Sequence, residues 1–286
     1  MSSLVYRPAN GSDIPAEYSV FVAAQTELHQ RHAVPWNAKP LAAWSAVHHH
    51  LIAHDGVRSF VAECDGRIVG FSAALVREDL WFFSALFVHP EFQSQGIGRR
   101  LFDLSRDGTY ARQVTITEAI QPASTGLYAQ KGLVPATPIL HFAGLPTIDA
   151  ADGLEAAAPT AEAIAALDRL TYGCNRACDH VYWSKRSRAT LWLRDGAPAA
   201  YSYFRDDGVI GPVAGIDEAA AASALRAELA RLRSEQARVM IPGSARLLVE
   251  VALAAGLRFS TMPGLLLLSP AAKAPTTLVI SGYWLF

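Results

Sequence analysis

Cysteine is scarce, with three in 286 residues, too few for a disulfide framework to substitute for a core. Cys174, Cys178 and His180 stand close together, but no fourth ligand follows at a zinc-site spacing, so a role in packing a helix turn is expected and no metal. Excess charge of either sign is missing too: 25 basic residues face 26 acidic ones, for a net charge of -1. Without a uniform positive field, nucleic acid is not an expected partner. Long uncharged runs are also lacking. No 18-residue stretch reads as a membrane span, and Met1 to Pro8 has no basic segment leading into an apolar one, so a cytoplasmic protein without a membrane partner is expected.

What is present is apolar material. Hydrophobic residues make up 51% and charged residues 18%, enough to build real cores, and the length suits two domains of about 140 residues. The pattern predicts a strand at Val5 to Pro8, then helices at Ala16 to His32 and Leu41 to Ala53. Ser59 to Cys64 and Arg67 to Val76 flank the hairpin signal Asp65-Gly66. Leu80 to Val88 is apolar nearly throughout, as a strand covered on both faces would be. A helix at Gly96 to Ser105, a strand at Gln113 to Thr117, a helix near Ser124 to Gln130 and a strand near Ile139 to Phe142 follow.

The order then recurs. Asp195-Gly196 falls in register with Asp65-Gly66, Val209 to Val213 echoes the central strand, and the helix endings Gly132-Leu133 and Gly256-Leu257 match. A diverged tandem duplication is expected, with domains at 1–145 and 161–286 and a linker at 146–160.

One segment carries chemistry: Phe87-Val-His-Pro-Glu-Phe-Gln-Ser-Gln-Gly-Ile-Gly-Arg-Arg-Leu101. A buried strand ends at a proline, and a glycine-containing turn opens into an amphipathic helix whose first amides lack intrahelical acceptors, which makes an anion site. Arg99 and Arg100 in the first turn oppose the helix dipole unless an anion binds there. The plainer reading is a tight turn with surface arginines.

Gln93-Ser94-Gln95-Gly96-Ile97-Gly98 after Val88-His89-Pro90 resembles the acetyl-CoA motif of the GCN5-related N-acetyltransferase (GNAT) superfamily, Gln or Arg, two residues, Gly, any residue, Gly or Ala. The resemblance implies an α/β (α+β) fold of two tandem GNAT-like domains, each a mixed, mostly antiparallel sheet flanked by helices. It implies that amides from Gln93, Ser94, Gln95, Gly96, Ile97, Gly98 and Arg99 hold the pyrophosphate of acetyl-CoA, while the backbone of Leu86, Phe87 and Val88 pairs with its pantetheine arm. Leu127-Tyr128, with Gly132 four residues on, resembles the family helix whose tyrosine protonates the departing thiolate. Tyr128 is therefore the general-acid candidate, although Gln121 replaces an Asn frequent in the family.

The base is open between ordered water and Glu118, with His89 as a further titratable neighbour. In this family the acceptor pocket lies by the first two helices, which here implicates His32, Trp36, Trp44 and Ser84 as substrate-binding residues. His48, His49 and His50 cannot share one helix face, which argues against a triple-histidine metal site. Gly211 to Glu218 does not fit the acyl-CoA motif and Ala252 replaces the tyrosine, so the second half is expected to lack the cofactor loop. Its Asp179, His180, Tyr182 and Trp183 are candidates for capping the acceptor pocket. The expected activity is acetyl transfer from acetyl-CoA to a primary amine of a small molecule. Alternatives are a noncatalytic acyl-CoA-binding or regulatory protein and a protein lysine or N-terminal acetyltransferase. A homodimer stays open.

Overall fold

A computed structural model describes residues 4–149, 153–232 and 235–286. The first half runs β1 (Leu4–Pro8), α1 (Ile14–Arg31), α2 (Leu41–Asp55), β2 (Ser59–Cys64), β3 (Arg67–Arg77), β4 (Leu80–Val88), α3 (Ile97–Ser105), β5 (Arg112–Glu118), α4 (Pro122–Gln130) and β6 (Val134–Gly144). The second half repeats the scheme as β7 (Glu155–Ala157), α5 (Ala161–Thr171), α6 (Ala177–Ser184), β8 (Arg188–Arg194), β9 (Ala197–Phe204), β10 (Val209–Gly215), α7 (Glu218–Ala230), β11 (Ala237–Pro242) and α8 (Arg246–Ala254). It closes with β12 (Arg258–Phe259), β13 (Gly264–Leu268) and β14 (Leu278–Val279).

The two halves share one mixed sheet in the order β1-β2-β3-β4-β5-β13-β6-β11-β10-β9-β8-β7. Its centre is an exchange. β13 lies between β5 and β6, pairing Gly264 with both Glu118 and Ile139, while β6 pairs on its other edge with β11. The expected linker 146–160 contains β7, which pairs with β8 as β1 pairs with β2; residues 150–152 lie outside the described residues.

Helices cover both faces. α1, α2, α5 and α6 share one core that includes Phe21, Trp44, Phe71, Phe82, Trp183, Tyr201 and Phe286. α3 and α4 cover the opposite face over Trp81, Phe83 and Val69, and α7 and α8 cover it over Trp192, Val213 and Val239. Deep burial of so many large side chains, each about 1.5–3 kcal/mol of transfer free energy, holds the halves together. An ion cluster adds to the joint: Arg77 binds Asp179 at 2.7 and 2.8 Å and Asp55 at 2.9 Å, and His50 meets Asp179 at 2.8 Å. Among the described residues no helix is long and apolar enough to cross a membrane.

Candidate active site

β4 pairs with β5 only from Leu80 to Phe83. Ala74 pairs with Phe83 but Ala73 with Ala85, so Ser84 is the extra residue of a β-bulge, and a bulge bends its strand. Beyond it β4 continues on β3 through Leu86, Phe87 and Val88, with β5 no longer alongside. Thr115 Oγ1 donates to the Phe83 carbonyl at 2.8 Å where the strands part. The opening therefore leaves the Leu86–Val88 edge of β4 without a strand partner.

The opening leads to the start of α3. Ser94 (φ 63°) and Gly96 (φ 84°) take left-handed backbone conformations, and space for 4 Å around a Cβ placed on Gly96 is empty. α3 has no side-chain cap, and its first closing bond is Arg100 N–H to the Gly96 carbonyl at 3.1 Å. The amides of Ile97, Gly98 and Arg99 thus precede the helical ladder. Gln93 differs from expectation: its amide donates to the Pro90 carbonyl at 3.3 Å, and its side chain donates to the Val88 carbonyl at 3.0 Å, so it braces the loop. Gln95 donates its side-chain amide to Glu91, and Arg99 donates to Gln130 of α4 at 3.0 Å.

Tyr128 stands on the α3 side of the opening, its ring 5.7 Å from Phe83 and 5.9 Å from Phe102. Burial pushes its phenol far above the ordinary value, against a smaller opposing effect of the Ser124 hydroxyl, so it keeps its proton throughout the physiological range.

On the other face, Glu118 ends β5. Gln25 of α1 donates to its Oε1 at 2.7 Å, and His29 Nε2 lies 2.8 Å from its Oε2. His29 is 7% exposed and stacks against Trp36 at 5.9 Å, and neither of its buried ring nitrogens has a hydrogen-bond partner, so Nε2 meets the carboxylate as a close contact. Sequence reading missed Gln25 and His29, although one helical turn separates them; nothing local indicated that this turn would face the end of β5.

Three expected acceptor-site residues are placed differently. Trp44 is 3% exposed, stacked on His48 at 3.5 Å and packed on Phe21 and Phe71, so it belongs to the core and forms no substrate wall. The Ser84 hydroxyl donates to the Trp284 carbonyl at 2.7 Å and is already engaged. His32 is exposed at the end of α1, and only Trp36 leans on the Glu118 neighbourhood, through His29. His89 instead faces Arg67, with Arg67 Nη2 at 2.9 Å from its Nε2.

Asp179, His180, Tyr182 and Trp183 do not cap the acceptor space. Asp179 joins the Arg77 cluster, Tyr182 packs on His50 at 4.9 Å, and His180 bridges Asp168 and Tyr203 at 2.7 and 2.9 Å. His50, Cys178 and Asp179 bring donor atoms within 4.8 Å of one another, but the Arg77 guanidinium already bridges both Asp179 oxygens, which makes this an ion-pair site.

In the second half the matching opening is filled. β10 leaves β11 after Ile210, and β14 pairs antiparallel with Val213 and Ala214 in the space. The following helix is closed as well: the Asp217 side chain caps α7 by accepting from Ala220 N–H at 2.6 Å and is paired with Arg194. A Cβ on Gly215 would stand 2.4 Å from the Ala221 nitrogen, so α7 lies hard against the strand end.

Residues 55–133 match the acetyltransferase (GNAT) domain family, the span from the end of α2 through the loop and Tyr128. No curated protein matches the chain in sequence. Among solved structures, an acetyltransferase candidate from Pyrococcus horikoshii is similar over 99% of this chain and 96% of its own, with a TM-score of 0.77 at 16% identity. A GCN5-related N-acetyltransferase from Sphaerobacter thermophilus covers 95% and 96% of the two chains with a TM-score of 0.61 at 15% identity. A tandem GNAT protein of the clavulanic acid biosynthesis pathway covers 95% and 99% with a TM-score of 0.59 at 16% identity. The match to the acetyltransferase (GNAT) domain is thus confined to residues 55–133 of the first half, while the fold of the whole chain is similar to that of tandem GNAT proteins.

Proposed function

We propose that the protein transfers an acetyl group from acetyl-CoA to a primary amine of a small molecule. The observation that carries this reading is the bulged, open edge of β4 running directly into the uncapped start of α3. The residues fit the cosubstrate: the amides of Ile97, Gly98 and Arg99 would face the pyrophosphate, and the Leu86–Val88 backbone would pair with the pantetheine arm as an added strand. Bound there, acetyl-CoA would supply an acyl group activated as a thioester. Glu118, oriented by the hydrogen bond from Gln25 and in close contact with His29, takes the proton that the attacking nitrogen must lose. Tyr128 holds the proton required by the departing thiolate, its burial keeping the phenol neutral. Trp36 and Trp284, both partly buried against the aromatic core, would offer apolar contact to a small acceptor.

Isothermal calorimetry and thiol release across an amine panel test this together. Wild type binds acetyl-CoA and releases thiol; Gly96→Val, which puts a β-branched side chain at a positive φ inside the loop, loses the binding. Glu118→Gln retains the binding and loses roughly 10²–10⁴-fold in turnover, the range for one general acid or base. Tight binding with no thiol release from any amine would instead favour a noncatalytic acyl-CoA sensor.

A further inference from the structure

The chain's last segment reaches across the molecule. After β14 has filled the second half's opening, Ile280 N–H donates to the Met240 carbonyl at 3.1 Å, and residues 281–286 cross to the Glu118 side of the sheet. The far end is clamped: Arg176, 2% exposed, donates to the Phe286 carbonyl at 2.9 Å and to the Tyr201 hydroxyl at 3.2 Å, with its guanidinium 3.3 Å over the Tyr172 ring. Between the anchors, Ser84 holds the Trp284 carbonyl, and Trp284 packs on Phe21 at 5.8 Å and Phe87 at 6.0 Å. The second half thus sets the position of these residues in the first half's site.

Strand registers locate Tyr283. Glu118, Gly264 and Ile139 are direct partners across β5, β13 and β6, so their side-chain directions share one face, and His141, two residues from Ile139, shares it too. A Cβ on Gly264 would lie 2.0 Å from the Tyr283 hydroxyl, so that hydroxyl sits directly over Gly264, one strand spacing from Glu118. Glycine is required there by this close approach.

The hydroxyl is also oriented. It lies 2.8 Å from His141 Nε2, and burial, with a smaller effect of Lys39, pushes that imidazole down to about 4, so it is neutral at physiological pH. In the tautomer protonated on Nδ1, His141 Nε2 accepts a hydrogen bond from the Tyr283 hydroxyl, which leaves the lone pairs of the phenol oxygen facing outward. Burial and the nearby Glu118 carboxylate both push the Tyr283 phenol up, so it is not an anion. Two oxygen acceptors then stand one strand apart. Such a gap suits a group carrying at least two N–H bonds.

We propose that Tyr283 is an acceptor-positioning residue, delivered to the first half's active site on a tail held by the second half, and that Glu118 and Tyr283 together favour primary over secondary amines. The proposal rests on the acyl-transfer reading. A secondary amine has one N–H fewer and, with that one given to Glu118, leaves the Tyr283 oxygen unmatched, which forfeits one neutral hydrogen bond, about tenfold in affinity.

The test compares wild type with Tyr283→Phe, which keeps the ring and removes only the hydroxyl. Thiol release from acetyl-CoA is followed with benzylamine and further primary amines, each beside its N-methyl derivative. The expected result is an acceptor KM raised about tenfold for primary amines, a primary-to-N-methyl preference reduced by the same factor, and an unchanged KM for acetyl-CoA. His141→Ala, which frees the phenol, is expected to move the same two quantities. Unchanged acceptor KM and preference in a folded, active Tyr283→Phe would overturn the proposal and leave acyl transfer standing. A parallel rise in KM for acetyl-CoA with a lowered melting temperature would also overturn it, by assigning Tyr283 to packing. No thiol release by wild type with any amine would remove the acyl-transfer reading and this proposal together.

Discussion

Glu17 lies on the inner side of α1, 2% exposed, with its Oε2 3.4 Å from His48 Nδ1. Burial, helped by Asp13, raises its carboxyl from 4.5 to about 8, and burial lowers the His48 imidazole from 6.5 to about 3. Both groups are therefore neutral in the folded protein near pH 6. Between pH 4.5 and 8 the unfolded chain loses the Glu17 proton that the folded chain keeps, so stability falls as pH rises. Between pH 6.5 and 3 the unfolded chain takes up a His48 proton that the folded chain refuses, so stability falls as pH drops. The two slopes oppose each other from 4.5 to 6.5, and above 6.5 Glu17 acts alone, for about 2 kcal/mol by pH 8. Glu17→Gln is expected to remove this alkaline loss, raising the melting temperature at pH 8 relative to wild type. Thermal melts of both proteins from pH 5 to 8.5 check it; parallel curves would show that Glu17 is ionised in the fold.

At the scale of elements, the two strand-to-helix corners differ in what occupies the first amides of the helix. α3 starts from Gly96 with no side-chain cap, whereas α7 starts from Asp217, whose carboxylate occupies the amide that an anion would need. Asp217→Ala is expected to cost about 1 kcal/mol, the usual worth of an N-cap, and to lower the melting temperature by about 2–4 °C. Calorimetry with acetyl-CoA should register no change, because the proposed site lies in the other half. The α3 corner was legible in the sequence because its requirements are local: a proline stop, glycines at the turn and an amphipathic helix. Ser84 as a bulge was not legible, since the register of β4 against β3 decides which residue is extra. β13 was missed for a related reason: Gly264-Leu-Leu-Leu-Leu268 has no alternation, because β5 and β6 flank it and both its faces are covered. β7 escaped notice as three residues in an Ala-rich stretch.

Considered whole, the molecule is two similar halves that exchange a strand, β13 of the second lying between β5 and β6 of the first. Without β13 the first half would expose the inner edges of β5 and β6, a row of unpaired backbone groups, and would lose Tyr283 and Trp284 from its site. The fragment 1–145 is therefore expected to aggregate or remain expanded, and co-expression with 146–286 to restore a soluble complex that binds acetyl-CoA. Size-exclusion chromatography and circular dichroism follow the outcome; a monomeric, cooperatively melting 1–145 would refute this dependence. The sequence by itself determined what depends on neighbours in the chain: the hairpins at Asp65-Gly66 and Asp195-Gly196, the glycine turn before α3 and the helix that carries Tyr128. Tertiary structure decided what depends on contacts across 90 to 200 positions: Glu118 against Gln25 and His29, Ser84 against Trp284, and Tyr283 against His141. The physical reason is that turn and cap energies are set within a few residues, whereas a carboxylate gains its role from whatever the folded sheet places beside it.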